Sequence, residues 1–240
     1  MKLAIIIPTY NEKENISIIT EEITKELKDK KIDYSIIIVD DKSPDGTGEI
    51  AENLSEKNRH IFVINRESKL GIGGAYIEGF KFALKNLNSD LYLTMDADLS
   101  HDPKYIFDLV KASEENDVII GSRYVNCGGI INWGIIRIII SKGANILTKK
   151  ILGLKSNDCT SGFKCIKKEV IEKLDFSKIS SRGYPFIIEF LYYCKENGFK
   201  IKEVPIIFIN RKFGKSKISK KEMYETFKLL IKLKLKNLLL

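Results

Sequence analysis

At 240 residues, 44% of them hydrophobic, the chain is long enough to bury one substantial core and short for two. Its net charge of +8 is localised: from position 211 onward ten Lys/Arg face only Glu222 and Glu225, and the first 210 residues balance at 30 against 30. No run reaches the roughly 18 to 20 apolar residues of a spanning helix, and two histidines with four cysteines lacking C-x-x-C spacing argue against a zinc site and for reduced, cytosolic thiols.

The first strand is expected over residues 3–7, without a preceding signal-peptide pattern. Helical spacing covers 15–27, a strand 35–39 and a helix 48–54; a strand at 60–65 leads through Gly71-Ile72-Gly73-Gly74 into a helix reaching Lys85. Strands at 91–95 and 118–121 flank a helix after Pro103. This alternation predicts right-handed βαβ units and a mostly parallel sheet covered by helices on both faces. Beyond Gly121 the rhythm changes. A turn at Asn126-Cys127-Gly128-Gly129 precedes an amphipathic helix over 133–152. Strands follow at 161–167 and 200–210, the latter bent at Pro205, with a helix at 185–197 between them. The sequence divides into a body, 1–218, and a basic amphipathic helix, 219–240, whose apolar stripe is expected to be Phe227, Leu230, Ile231, Leu235 and Leu238.

Two acidic loops follow strands: Asp40-Asp41-Lys42-Ser43-Pro44-Asp45-Gly46-Thr47, and Asp96-Ala97-Asp98. In a parallel α/β sheet both belong to the carboxyl rim, where ligands bind. A D-x-D pair there offers hard oxygen ligands to Mg²⁺ or Mn²⁺, and such a metal neutralises a diphosphate. Pro8-Thr9-Tyr10-Asn11-Glu12 adds a ring for stacking and a carboxylate for base or ribose hydrogen bonds. By itself Asp45-Gly46-Thr47 is a turn, and the glycines at 71, 73 and 74 suggest a phosphate cradle without the G-x-G-x-x-G spacing.

In combination these loops resemble the dolichol-phosphate mannose synthases, inverting nucleotide-sugar transferases of the GT-A fold. Gly121-Ser122-Arg123-Tyr124, the stretch Trp133 through Arg137 with Ser141 and Asn145, and Asn210-Arg211-Lys212-Phe213-Gly214-Lys215-Ser216-Lys217 extend the resemblance over essentially the whole chain. The resemblance implies a Rossmann-like GT-A domain that moves mannose from GDP-mannose to a dolichyl or other polyprenyl phosphate; relatives using UDP-glucose share nearly all these motifs. It implies that Pro8, Tyr10, Glu12, Val39 and Asp41 hold the nucleoside, and that Asp96, Ala97, Asp98 and Ser100 surround the diphosphate and metal. Asp98 is the expected direct ligand; many relatives have glutamine at Ser100. Arg123, Arg137 and Ser141 match positions facing the lipid phosphate, and Arg211 and Lys217 a loop that closes on the donor. Asp98, Arg123, Arg211 and Lys217 are then the expected catalytic set. The resemblance is to the short catalytic form, peripheral on the cytoplasmic face of the membrane and served by a separate anchor subunit.

The chemistry agrees with a phosphate acceptor. A phosphate monoester has a second pKa of about 6 and is already nucleophilic near neutrality, so no catalytic histidine is required. His101 is expected to pack in the turn before Pro103. Two rival readings are a non-catalytic nucleotide-binding protein and, from the basic tail, a nucleic-acid binder. The retained D-x-D opposes the first, and the lack of a zinc-finger or RNA-binding aromatic signature opposes the second.

Overall fold

A computed structural model describes residues 1–211 and 220–238. Lys217 and the expected junction at 218/219 lie outside the described residues.

The first half alternates as its sequence demands: β1 (Lys2–Thr9), α1 (Ile16–Asp29), β2 (Asp33–Asp40), α2 (Thr47–Lys57), β3 (Ile61–Asn65), α3 (Ile72–Asn86), β4 (Leu91–Thr94), α4 (Ile106–Ala112) and β5 (Val118–Ser122). There follow β6 (Gly129–Ile131), α5 (Ile135–Leu152), β7 (Lys164–Lys167), α6 (Lys168–Lys173), α7 (Pro185–Glu196), β8 (Ile201–Pro205), β9 (Ile207–Ile209) and α8 (Lys220–Leu238). Seven strands form one sheet in the order β3-β2-β1-β4-β7-β5-β8. β7 is antiparallel to both of its neighbours, and the other pairings are parallel. The expected strand over 200–210 is divided at Ile206: β8 joins this sheet, whereas β9 pairs with β6 in a separate two-stranded ribbon. β6 and α6 have no counterpart among the expected elements, being too short to show a period.

Burial on both faces explains the isoleucine-rich strands. Ala4, Ile6, Ile37 and Val39 face Tyr76, Phe80 and Ala83 of α3 and the buried side of α7. Leu3, Ile5, Ile7, Ile36 and Ile38 face Ile16, Ile19 and Ile23 of α1 and Ile106 and Leu109 of α4.

α8 differs from its expected pattern. Leu229, Leu230 and Leu233 join the core containing α3 and α7, so its buried side is not the predicted stripe. Of that stripe only Leu230 is shown buried; Phe227, Ile231 and Leu235 are exposed, and the side chain of Leu238 is not described. A 3.6-residue period leaves two adjacent apolar faces on so leucine-rich a helix, and packing against the body selects one. α5, packed against α8, exposes Ile135 and Ile136 at 76% each and Ile139 at 63%.

Candidate active site

The carboxyl ends of β1, β2, β4 and β5 carry the loops of Tyr10, Asp41, Asp96–Asp98 and Arg123 to one rim. β7 runs the opposite way, so the segment entering it, Asp158 to Phe163, reaches that rim from its amino end. Hydrogen bonds stitch this segment in place: Thr94 Oγ1 donates to Gly162 O (2.6 Å) and Ser161 Oγ to Gly121 O (2.7 Å).

The two neighbouring aspartates of the first acidic loop serve different purposes. Asp40 accepts from Thr9 Oγ1 (2.8 Å) and from Ser43 N (2.8 Å) and Oγ (2.6 Å), pinning its loop to β1. Asp41 accepts from the Arg66 guanidinium and from Gly71 N (2.8 Å), joining β2 to the start of α3. Asp45 accepts from Thr47 N (3.0 Å) and Oγ1 (2.6 Å), the turn role expected of it. Thr47 Oγ1 in turn accepts from Glu12 N (2.9 Å). Glu12 is buried and accepts from Asn15 Nδ2 (2.8 Å). The Tyr10 ring lies under Lys69 Nζ at 3.4 Å, a cation on the face a base would use. Pro8 pairs in register with Val39, whose side chain is wholly buried in the core, so Val39 has only backbone to offer a nucleoside.

The glycine loop is a packing device. Gly73 N donates to Arg182 O (2.7 Å), and a Cβ on Gly73 would lie 2.6 Å from Phe186. A Cβ on Gly74 would lie 2.6 Å from Arg66. The Gly73 and Gly71 amides are therefore engaged with protein, contrary to a phosphate cradle.

At the second acidic loop, Asp98 Oδ1 accepts from Ser100 N (3.1 Å) and Oγ, while its Oδ2 pairs with Arg211 Nη2 at 3.0 Å. Leu99 between them has φ 63°, a left-handed conformation costly for a branched side chain. Ser100, expected among the metal ligands, stands behind Asp98 as its brace, 1% exposed. Ala97 is also buried, whereas the Asp96 side chain keeps 22% exposure. Asp96 N donates to His101 Nδ1 (3.0 Å), and the imidazole stacks on Phe163 at 4.9 Å. Burial lowers its pKa against the pull of Asp96 and Asp98, keeping it neutral with the proton on Nε2. His101 thus packs in the turn, as expected. No group of three His, Cys, Asp or Glu side chains converges among the described residues. The pair Asp96/Asp98 fits a hard divalent ion that takes its remaining ligands from a diphosphate.

Arginines gather opposite the aspartates. Arg123 is 8% exposed, which rules out a merely solvated surface role. Its Nε and Nη2 donate to Asp158 Oδ2 and Oδ1, both at 2.7 Å, and Nη2 also reaches Thr160 Oγ1 at 2.8 Å. The Nε/Nη2 edge of Arg123 is therefore engaged by Asp158 and not open to a phosphate. Arg137 lies over the Trp133 ring at 3.7 Å and donates to Asn210 Oδ1 at 3.1 Å. Burial, with nearby Arg211 and Arg123, lowers its pKa. Ser141 accepts from Tyr124 OH at 2.7 Å. Tyr184, at the head of α7, has its phenol pKa raised by burial and by the charges of Asp96 and Asp98.

The residues the sequence reading missed are Arg66, Asp158, Thr160, Lys164 and Tyr184. Two left a trace: Lys164 interrupts the apolar run Phe163, Cys165, Ile166, and Asp158-Cys159-Thr160 places a carboxylate just before it. The others become site residues only through long-range contacts.

A carboxylate pair facing an arginine cluster across a parallel-sheet rim suits an anionic, metal-associated donor, and the sequence comparison specifies the family. The profile of glycosyl transferase family 2 matches residues 4–175. The chain belongs to that family. Among relatives of this family 2 protein, the polyprenol monophosphomannose synthase of Mycolicibacterium smegmatis is 41% identical over 90% of the chain and 80% of its own length. The undecaprenyl-phosphate mannosyltransferase of Micrococcus luteus is 36% identical over 91% of the chain and 88% of its own length. The fold matches glucosyl-3-phosphoglycerate synthase of Mycobacterium tuberculosis, solved with Mn²⁺, UDP-glucose and phosphoglyceric acid, at TM-score 0.68 and 18% identity. That match covers 98% of this family 2 chain and 79% of the solved one. Mannosyl-3-phosphoglycerate synthase of Rubrobacter xylanophilus matches at TM-score 0.68 and 18% identity, over 99% of this chain and 74% of the solved one. These structures bear out the Rossmann-like GT-A architecture.

Proposed function

We propose that this glycosyltransferase moves mannose from GDP-mannose to a polyprenyl phosphate, with inversion at the anomeric carbon. The observation that carries the reading is the facing of Asp96/Asp98 by Arg123, Arg137 and Arg211 at one rim, a site for two anionic substrates. The names of the two mannosyltransferase relatives support the sugar and the lipid class.

The acceptor phosphate is its own nucleophile, and neutral, buried His101 is not needed as a base. Arg137 and the Nη1 donor of Arg123 orient that phosphate against the sugar, with Ser141 beside them. Asp96 and Asp98 would hold Mg²⁺ or Mn²⁺, which when bound supplies positive charge to the nucleotide diphosphate. Arg211 already rests on Asp98 and adds a cation that matters most as the diphosphate departs. Tyr10 and Glu12 flank the nucleoside, while Asp41 stiffens its wall through Arg66 and Gly71 N.

No helix among the described residues is long and apolar enough to cross a membrane. The exposed isoleucines of α5 and the lysines of α8 support peripheral contact with an anionic cytoplasmic leaflet. A panel of GDP-mannose and UDP-glucose, each with a short-chain polyprenyl phosphate and Mg²⁺ or Mn²⁺, tests the reading. Mannosyl transfer is expected. Transfer only from UDP-glucose would redirect the donor, and no turnover with nucleotide binding intact would favour a non-catalytic protein.

A further inference from the structure

The buried segment entering β7 contains a carboxylate that neither the resemblance nor the comparisons assign. Asp158 is 0% exposed, and three donors of one residue converge on it: Arg123 N at 3.0 Å, Nε at 2.7 Å and Nη2 at 2.7 Å. A fork-to-fork pair of this kind fixes a guanidinium in plane and in rotation, which a single hydrogen bond cannot do. Aromatic rings confine the same group: its Cζ is 5.3 Å from the Tyr124 centroid, 5.6 Å from Trp133 and 5.3 Å from Phe208.

Asp158 is itself held from behind. Its N–H donates to Glu203 Oε1 at 2.9 Å, and that oxygen also accepts from Ser122 Oγ at 2.7 Å. Thr160 closes the other side, its Oγ1 accepting from Arg123 Nη2 at 2.8 Å and from Asn145 Nδ2 at 3.1 Å. Asn145 lies on α5, one turn beyond Ser141, whose carbonyl accepts from the same Nδ2 at 2.9 Å. The network thus joins β5, the segment before β7, β8 and the helix that carries Arg137. A buried ion pair gives little net stability, because both charges lose their hydration. Its clearest product here is a defined orientation.

We propose that Asp158 is a positioning residue for transfer: it locks Arg123 so that Nη1, the guanidinium nitrogen not bound to Asp158 or Thr160, meets the acceptor phosphate, and it does not touch substrate itself. The proposal rests on the reading of Arg123 as an acceptor-phosphate residue. Asp158→Asn keeps the shape of the side chain while weakening the fork. With a short-chain polyprenyl phosphate in detergent, this variant raises KM for the acceptor by about tenfold or more and leaves KM for the nucleotide sugar within about twofold. Because Asp158 acts through Arg123, the combined variant Arg123→Gln/Asp158→Asn is no slower than Arg123→Gln alone. Asp158→Asn with wild-type acceptor dependence, beside an impaired Arg123→Gln, overturns the positioning role. So does an additive double variant, or an equal loss toward donor and acceptor. Wild-type acceptor dependence in Arg123→Gln instead overturns the underlying reading of Arg123. Should Asp158→Asn not fold, Asp158→Glu keeps the negative charge beside Arg123 and shifts the fork out of register. A raised acceptor KM in that variant supports the proposal, and unchanged kinetics overturns it.

Discussion

Lys164 sits at the bottom of the site, 3% exposed, with its ammonium on the Ser161 carbonyl. Burial brings its pKa from 10.5 down to about 8 despite the attraction of Asp158 and Asp96. At pH 7 the lysine is charged in both folded and unfolded chains, so folding carries the full burial cost, on the order of 3 kcal/mol. Between pH 8 and 10.5 the folded form loses its proton first, and the cost diminishes until both states are neutral. Lys164→Met is therefore expected to be more stable by about 1–2 kcal/mol at pH 7, after loss of the Ser161 bond. Urea titrations should show that gap shrinking above pH 8, and a variant less stable at pH 7 would contradict the assignment. Asp98 makes the opposite case, a side chain proposed to serve turnover rather than stability. Asp98→Ala should retain a cooperative melt and lose turnover by orders of magnitude, because a hard oxygen ligand and the partner of Arg211 disappear together. Full turnover in EDTA, or in this variant, would sink the metal-assisted mechanism.

α5 and α8 pack together, yet their apolar residues have different fates. Leu230 and Leu233 of α8 are 2% and 1% exposed, whereas Ile135 and Ile136 of α5 are each 76% exposed. Leu230→Ala should destabilise the protein by about 2–4 kcal/mol, the cost of a core cavity. Ile135→Ser with Ile136→Ser should stay within about 1 kcal/mol of wild type, since those side chains lose little burial on substitution. Thermal melts of the two variants separate these roles; a comparable loss in the α5 variant would mean that its isoleucines are packed after all. The same leucines make truncation of α8 a poor probe of membrane contact, because the cut would also open the core.

Over the whole molecule, the +8 charge lies toward the chain's carboxyl end, in the region that includes α8. That helix packs against α5, the helix that carries the exposed isoleucines. This combination predicts binding to vesicles containing anionic lipid, weakened by added salt as exposed charge is screened. It also predicts weaker binding of the Ile135→Ser/Ile136→Ser variant at unchanged stability. Co-sedimentation in low and high salt measures both effects. Salt-insensitive binding, equal in the two proteins, would leave a separate anchor subunit as the occupant of this face.

The alternating β and α runs, the rim position of Asp41 and of Asp96–Asp98, and the packing of His101 were legible in the chain itself. Strand periodicity and turn chemistry are local, and where the strands run parallel the sheet converts them directly into a shared edge. Asp158 and Lys164 left a local trace in the sequence, but their place at the rim follows from β7 running against its neighbours and bringing its amino end to their carboxyl edge. Nothing in their spacing encodes that reversal. The buried side of α8 was likewise settled by tertiary contact: Leu229, Leu230 and Leu233 meet the core, and Phe227, Ile231 and Leu235 are left outside. A leucine-rich helix offers several faces of similar hydrophobicity, and its own sequence cannot say which one the body will cover.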